Sequence, residues 1–170
     1  MTEKLIPRDG LFLYFYPMKR ILVYGFGNPG RQDDGLGPAF AEMVENWKNA
    51  AGLTGVDTDS NYQLNVEDAQ IMSEYDLVVF ADASVEEHIR DFLFDRIEAC
   101  DAEVKYTLHA ASPGYILELC KEIYHKQPET WLMHIHGHEW AFKEGLTEEA
   151  QKNLQLAFQH FCRWYQDLKS

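Results

Sequence analysis

Two acids and an imidazole define the chemistry to look for. Asp34 closes the run Gly25-Phe26-Gly27-Asn28-Pro29-Gly30-Arg31-Gln32-Asp33-Asp34, Asp82 follows the apolar run 77–81, and His109 follows residues 103–108. Each stands at the end of a segment that reads as a strand. In open α/β sheets the C-terminal ends of parallel strands lie side by side, and ligands collect there. Two carboxylates and an imidazole arriving from separate strands form a facial set for a divalent transition metal, with open positions left over. Each residue also has a plainer role. Asp34 can be a turn residue or helix N-cap, Asp82 can cap the segment after it, and His109 can be an ordinary satisfied polar side chain.

The elements that must position these residues follow from pattern. Arg20-Ile21-Leu22-Val23-Tyr24 is a short β-branched and aromatic run that reads as a buried strand. It breaks into the glycine turn, and Pro38-Ala39-Phe40-Ala41 opens a helix whose apolar positions Phe40, Met43, Val44 and Trp47 end near Gly52. Gly25, Gly27 and Gly30 satisfy a dinucleotide-type G-x-G-x-x-G. Asp33 and Asp34 argue against a phosphate there, because like charges about 4 Å apart repel by roughly 4 kcal/mol at an effective dielectric near 20. No nucleotide is therefore expected. A weak second strand is predicted over 55–59, and Asn65 is expected to cap a short helix through Glu67, Asp68 and Ile71. The strand over 77–81 is continuously apolar and is expected to stop at Asp82. Residues 86–100 read as a surface helix or irregular excursion. A strand over 103–108, a helix opened by Ser112-Pro113-Gly114 and a strand over 131–136 come next. Thr147 then caps a last helix with one apolar stripe from Ala150 to Leu168. Strands alternating with helices predict a single α/β domain, a mostly parallel twisted sheet with helices on both faces.

One hundred and seventy residues, 46% of them hydrophobic, suit one globular core. A formal charge of −13 opposes nucleic acid and anionic membrane surfaces, so neither is an expected partner; a cation or a basic protein segment remains compatible. Cys100, Cys120 and Cys162 are odd in number and widely spaced, which reads as reduced thiols in a cytoplasmic protein. Residues 1–17 look like an N-terminal extension, either an extra edge strand or sequence from an early start codon, on a domain over 18–170. The run at 11–16 is too short to span a bilayer and lacks the features of a signal peptide. His134-Ile135-His136-Gly137-His138 puts three histidines on one face of a strand. A polar strand face is preferred there over a second metal site.

Gly25-Phe26-Gly27-Asn28 with Arg31-Gln32-Asp33-Asp34-Gly35-Leu36-Gly37, then Phe80-Ala81-Asp82-Ala83 and His109-Ala110-Ala111-Ser112-Pro113-Gly114, occur in an order that resembles the hydrogenase maturation endopeptidases. Glu67-Asp68-Ala69 and Gly137-His138-Glu139-Trp140 extend the likeness, which spans nearly everything after Met18. The resemblance implies a protease that removes the C-terminal peptide of a nickel–iron hydrogenase large-subunit precursor after nickel insertion. It implies that Asp34, Asp82 and His109 contact nickel supplied by the substrate. Asp33, Asp34 and Asp82 are then the catalytic candidates, with Asp33 preferred as general base. Gly27, Asn28 and Arg31 are the loop positions expected to meet substrate. No serine or cysteine nucleophile is required: Ser112 reads as a helix cap, and Cys120 and Cys162 as core. The expected state is a monomer. Two alternatives stand beside this. One is a non-catalytic module that docks the nickel centre. The other is a peptidyl-tRNA hydrolase-like enzyme, whose Gly-x-Gly-Asn-Pro-Gly opening looks similar but which needs a basic surface and an early histidine that this chain lacks.

Overall fold

Ile21, Val23, Leu77 and Val79 point to one side of their strands, and Leu22, Tyr24, Val78 and Phe80 to the other; all are buried. Strands apolar on both faces must be covered on both faces. The computed structural model describes residues 7–8, 11–12, 19–99 and 111–170. Within these, β1 (Pro7–Arg8) and β2 (Leu11–Phe12) pair antiparallel with each other and stay apart from the main sheet. The extension is thus not an added edge strand of that sheet at these residues.

The main sheet contains β3 (Ile21–Phe26), β4 (Val56–Asn61), β5 (Leu77–Ser84), β6 (Phe92–Ile97) and β7 (Glu129–His136), in the order β4-β3-β5-β7-β6. The first four in that order run parallel, and β6 joins β7 antiparallel at the edge. Four α-helices are described, α1 (Leu36–Ala51), α2 (Asp68–Met72), α3 (Pro113–Tyr124) and α4 (Glu148–Lys169). α1 and α4 cover one face, where Phe40 and Phe161 meet edge to face at 5.6 Å over Val23, Val79 and Ile135. α2 and α3 cover the other, with Met72, Ile116 and Leu117 over Leu22, Val78 and Phe80. This is the expected mostly parallel α/β domain with helices on both faces.

The helix ends follow local chemistry. Gly52 closes α1 in the left-handed conformation, Ser112 Oγ accepts from the Tyr115 N–H to start α3, and Thr147 Oγ1 accepts from the Ala150 N–H to start α4. Three expectations change. Asn65 does not cap α2 with its side chain, which donates to the Gln63 carbonyl; the Asp68 carboxylate instead accepts from the Asn65 N–H at 2.7 Å. The segment expected as a helix or excursion contains β6. Its alternate residues Phe92 and Phe94 lean on His160 and Trp131, while Asp95 and Arg96 face solvent, as suits an edge strand. Finally, β5 runs on through Asp82 to Ser84, because β7 is long enough to pair with it as far as His136. The predicted strand over 103–108 and His109 lie outside the described residues. Among the described residues no helix is long and apolar enough to cross a membrane.

Candidate active site

The turn after β3 is held by backbone contact. Gly27 has φ +139°, and a Cβ on it would stand 2.0 Å from the Asp34 carbonyl oxygen, so only glycine fits. A Cβ on Gly37, in the first turn of α1, would stand 2.3 Å from the Phe26 carbonyl oxygen and 2.4 Å from that of Ala81. Gly25 and Gly27, two of the three glycines that imitate a dinucleotide fingerprint, thus serve together with Gly37 to press the loop and helix onto the sheet, a Cβ on Gly25 meeting the Gly37 carbonyl. Between them a short 3-10 segment (Pro29–Gly35) carries the acids. The Asn28 side chain accepts from the Gly30 N–H at 2.9 Å, and the Asn28 N–H donates to Asp34 Oδ2 at 3.1 Å. This fixes the Asp34 carboxylate, which is half-buried beside Gly27.

Asp82 comes from the neighbouring strand. Alternation along β5 sets it on the same face as Phe80, toward α2 and α3. It is half-buried, and its pKa is pushed up to about 7. Loss of hydration is the main cause, the Ala83 N–H pulls the other way, and the charge of Asp34 adds to the rise. Two acids separated by 48 positions in sequence are thus close enough to feel each other. His109, the third member of the expected set, lies outside the described residues, shortly before α3. Among the described residues no three His, Cys, Asp or Glu side chains cluster to hold a metal ion.

Asp33 points elsewhere and has a different task. It is fully buried. Its carboxylate accepts from the N–H groups of His138 (2.8 Å), Glu139 (3.1 Å) and Thr147 (2.8 Å), and from Thr147 Oγ1 (2.8 Å). Burial raises its pKa, but the hydrogen bonds from Thr147, His138 and Glu139 outweigh it, and the net shift is downward. A general base needs reach to the reacting water and a pKa near the working pH. Asp33 has neither, so the expectation of a base here gives way to a positioning residue that ties the 3-10 segment to the loop after β7. Gln32 adds to the same clamp. Its N–H donates to the Lys143 carbonyl at 2.8 Å, and its side-chain amide bonds the Ala141 N–H and the Glu139 carboxylate.

The histidines after Met133 divide. His134 sits opposite Asp82 in register, half-buried, with its pKa lowered by burial. The His136 and His138 rings meet edge to face at 4.7 Å, and Asn153 donates to the His136 carbonyl at 3.0 Å. Cys120 is buried in the core, and Ser112 is engaged as the α3 cap. A cleft of about 430 Å³ runs along the flank of the 3-10 segment between Pro29, Pro38, Glu42, Ser60 and Leu146, and neither Asp34 nor Asp82 lines it.

No protein-family model matches the sequence, and neither does any curated protein. Solved structures do. Hydrogenase maturating endopeptidase HybD from E. coli superposes with a TM-score of 0.67 at 20% identity, covering 87% of this chain and 93% of its own. A [NiFe] hydrogenase maturation protease HycI from Thermococcus kodakarensis gives 0.66 at 22% identity, over 84% and 90%. The hydrogenase 2 maturation peptidase from a Thaumarchaeota archaeon gives 0.61 at 21%, over 86% and 98%. The chain has the hydrogenase maturation protease fold.

Within that fold, sequence reasoning named Asp34 and Asp82, and the structure sets them after β3 and on β5, two adjacent parallel strands, at one edge of the sheet. It missed Gln32 and the loop after β7 as a joined unit. No local pattern names partners more than a hundred residues away.

Proposed function

We propose that this protein is a peptide hydrolase that removes the C-terminal peptide of a nickel–iron hydrogenase large-subunit precursor, and that it recognises the nickel already held by that substrate. The observation that supports this most is the approach of Asp34 and Asp82 at the C-terminal edge of the sheet, in the fold described above. Two neighbouring acids, one of them poorly hydrated, favour a cation between them. A substrate-borne nickel ion supplies that cation, and His109 is the third contact on this reading. Cleavage then depends on prior metal insertion, because an empty precursor offers nothing to relieve the two charges.

The cation on the substrate draws electron density from the scissile carbonyl. Asp34 is held by the Asn28 N–H, so it orients the docked substrate. Asp82 takes the proton of the attacking water. The water oxygen bonds to the carbonyl carbon, the C–N bond breaks, and the proton passes to the leaving amine. Gly27, Asn28 and Arg31 border the path of the substrate chain. On this reading the protein works in the cytoplasm as a monomer and binds neither nucleic acid nor membrane.

The test is to incubate the purified protein with nickel-loaded and nickel-free precursor and follow the released peptide by mass spectrometry. Release from the loaded form alone is expected. Equal release from both would remove nickel recognition, and stable complex formation without release would replace the peptidase with a docking module.

A further inference from the structure

On the face of the sheet that carries Asp82, toward α2 and α3, lies a buried polar pair that the proposed reaction does not use. Tyr24 opposes Phe80 in register, and the two rings meet edge to face at 5.9 Å. Asp82 follows on that face, one alternation beyond Phe80. Tyr24 is 2% exposed, Asp68 is 7% exposed, and the Tyr24 hydroxyl donates to Asp68 Oδ1 at 3.1 Å. Asp68 Oδ2 accepts from the Asn65 N–H at 2.7 Å, while the Asp68 N–H donates back to the Asn65 carbonyl at 3.1 Å. The turn from β4 into α2 is closed on itself and pinned to β3 by one phenol.

The same phenol is linked to the acid loop. The side chain of Asn61, the last residue of β4, is a second hydrogen-bond partner of the Tyr24 hydroxyl. The Asn61 carbonyl accepts from the Gly27 N–H at 3.1 Å, and the next N–H along the chain, that of Asn28, holds Asp34. Burial, with the Asp68 charge beside it, raises the Tyr24 pKa well above its ordinary value, so the hydroxyl stays a donor. Taking a carboxylate out of water is costly, and an apolar pair of similar shape would fill this space at least as well. What the polar pair adds is direction, because hydrogen bonds weaken steeply when their angle is lost and apolar contacts do not.

We propose that Tyr24 and Asp68 are positioning residues for the acid site: they fix the turn after β4 and, through Asn61, the Gly27–Asn28 peptide that orients Asp34. The effect on rate rests on the peptidase reading. The placement of the Asn28 N–H does not, and it is measured without substrate.

The experiment compares amide hydrogen exchange, and cleavage of nickel-loaded precursor, in the full-length wild type, Tyr24→Phe, Asp68→Asn, the double variant and Tyr75→Phe. Tyr24→Phe keeps the ring and loses the donor; Asp68→Asn keeps the shape and offers one oxygen to two donors. Each is expected to speed exchange about tenfold at Gly27 and Asn28 and to leave Val79, inside β5, unchanged. At a temperature where the variants are fully folded, kcat is expected to fall about tenfold with KM within about twofold, as for a small misplacement near the chemistry. The double variant is expected to lose no more than the worse single one, because the pair acts as a unit. Tyr75→Phe is the control: it takes a hydroxyl from another carboxylate, Asp57 at 3.0 Å, just ahead of β5, and leaves both readouts unchanged. If one variant fails to fold, the other decides. Wild-type exchange at Asn28 in the folded variants overturns the inference. So does an acceleration that extends equally to Val79, or failure of both variants to fold, since either reduces the pair to a support of the core. A normal kcat despite faster exchange at Asn28 overturns it as well. A wild type that leaves the precursor uncut, while Asn28 exchange responds as expected, overturns the peptidase reading and keeps the placement.

Discussion

Asp33 and Asp34 are consecutive, carry the same functional group, and are used in opposite ways. Asp33 is sealed in the protein and tied by four hydrogen bonds to the loop after β7. Asp34 takes one from the Asn28 N–H and faces a second acid, Asp82, from the next strand. Partners, not residue type, separate a carboxylate that builds from one that is left available. Where donors outnumber charges the acid stays ionised and structural; where two acids share a site short of donors, the site is poised for a cation or a proton.

The sharpest way to break this contrast is to neutralise the available side. On the proposed function, Asp82→Asn is expected to lower precursor processing by about 10⁴-fold or more while circular dichroism stays native, since that reading gives Asp82 its role in the reaction. Detectable product from this variant would take Asp82 out of the site. Neutralising the structural side has its effect on folding. Asp33→Ala leaves three N–H groups without their acceptor and is expected to cost ~3–4 kcal/mol, read as a lower denaturation midpoint. Hydrogen exchange should rise at His138, Glu139 and Thr147 and stay unchanged in β3. Because the folded pKa of Asp33 is lowered, its contribution is complete above the ordinary value of 3.8 and fades as pH falls through the folded value.

The sign reverses for Asp82. Its folded pKa, about 7, lies above the ordinary 3.8, so the folded state holds the proton more tightly than the unfolded chain. The resulting penalty is absent below pH 3.8, grows as pH rises and is complete above about 7. Asp82→Asn should therefore stabilise the protein at pH 8, by less than the ~4 kcal/mol the full shift would give because the side chain is only partly buried, and leave it unchanged at pH 3.5. An equal Tm shift at both pH values would show that Asp34 and burial do not act on Asp82 as described. The smallest effect belongs to Gln32, whose φ of 46° and ψ of −114° suit glycine better than a side chain. Gln32→Gly relieves that strain and loses two side-chain hydrogen bonds, so a net change within about 1 kcal/mol is expected. A much larger loss would show that Gln32 carries more of the clamp than Asp33.

The sequence made parts of this contrast legible. The runs 21–24 and 77–81 are apolar at every position, which only a central parallel strand needs, and the stripe from Ala150 to Leu168 has helical period and a cap at Thr147. Those features are local. β6 was hidden because a half-exposed edge strand with Asp95 and Arg96 has the mixed composition of a surface helix. The distinction between Asp33 and Asp34 was hidden for a deeper reason. The groups that bind Asp33 lie at positions 138, 139 and 147, and nothing near residue 33 encodes their arrival. The end of β5 was misplaced at Asp82 because an acid in a buried strand looks like a terminator until its neighbour strand is known to continue.

Gly37 touches the carbonyl oxygens of both Phe26 and Ala81, with no side chain in between. Asp34 precedes this point of contact by one helical turn and Asp82 follows Ala81 directly, so the gap between the acids is gauged by main chain against main chain. Substitutions that loosen the hydrophobic layers would make the protein melt earlier without altering that gap. Robustness and the spacing of the acids can therefore drift independently in this molecule, and on the proposed function a heat-sensitive variant should still process its substrate at normal speed in the cold.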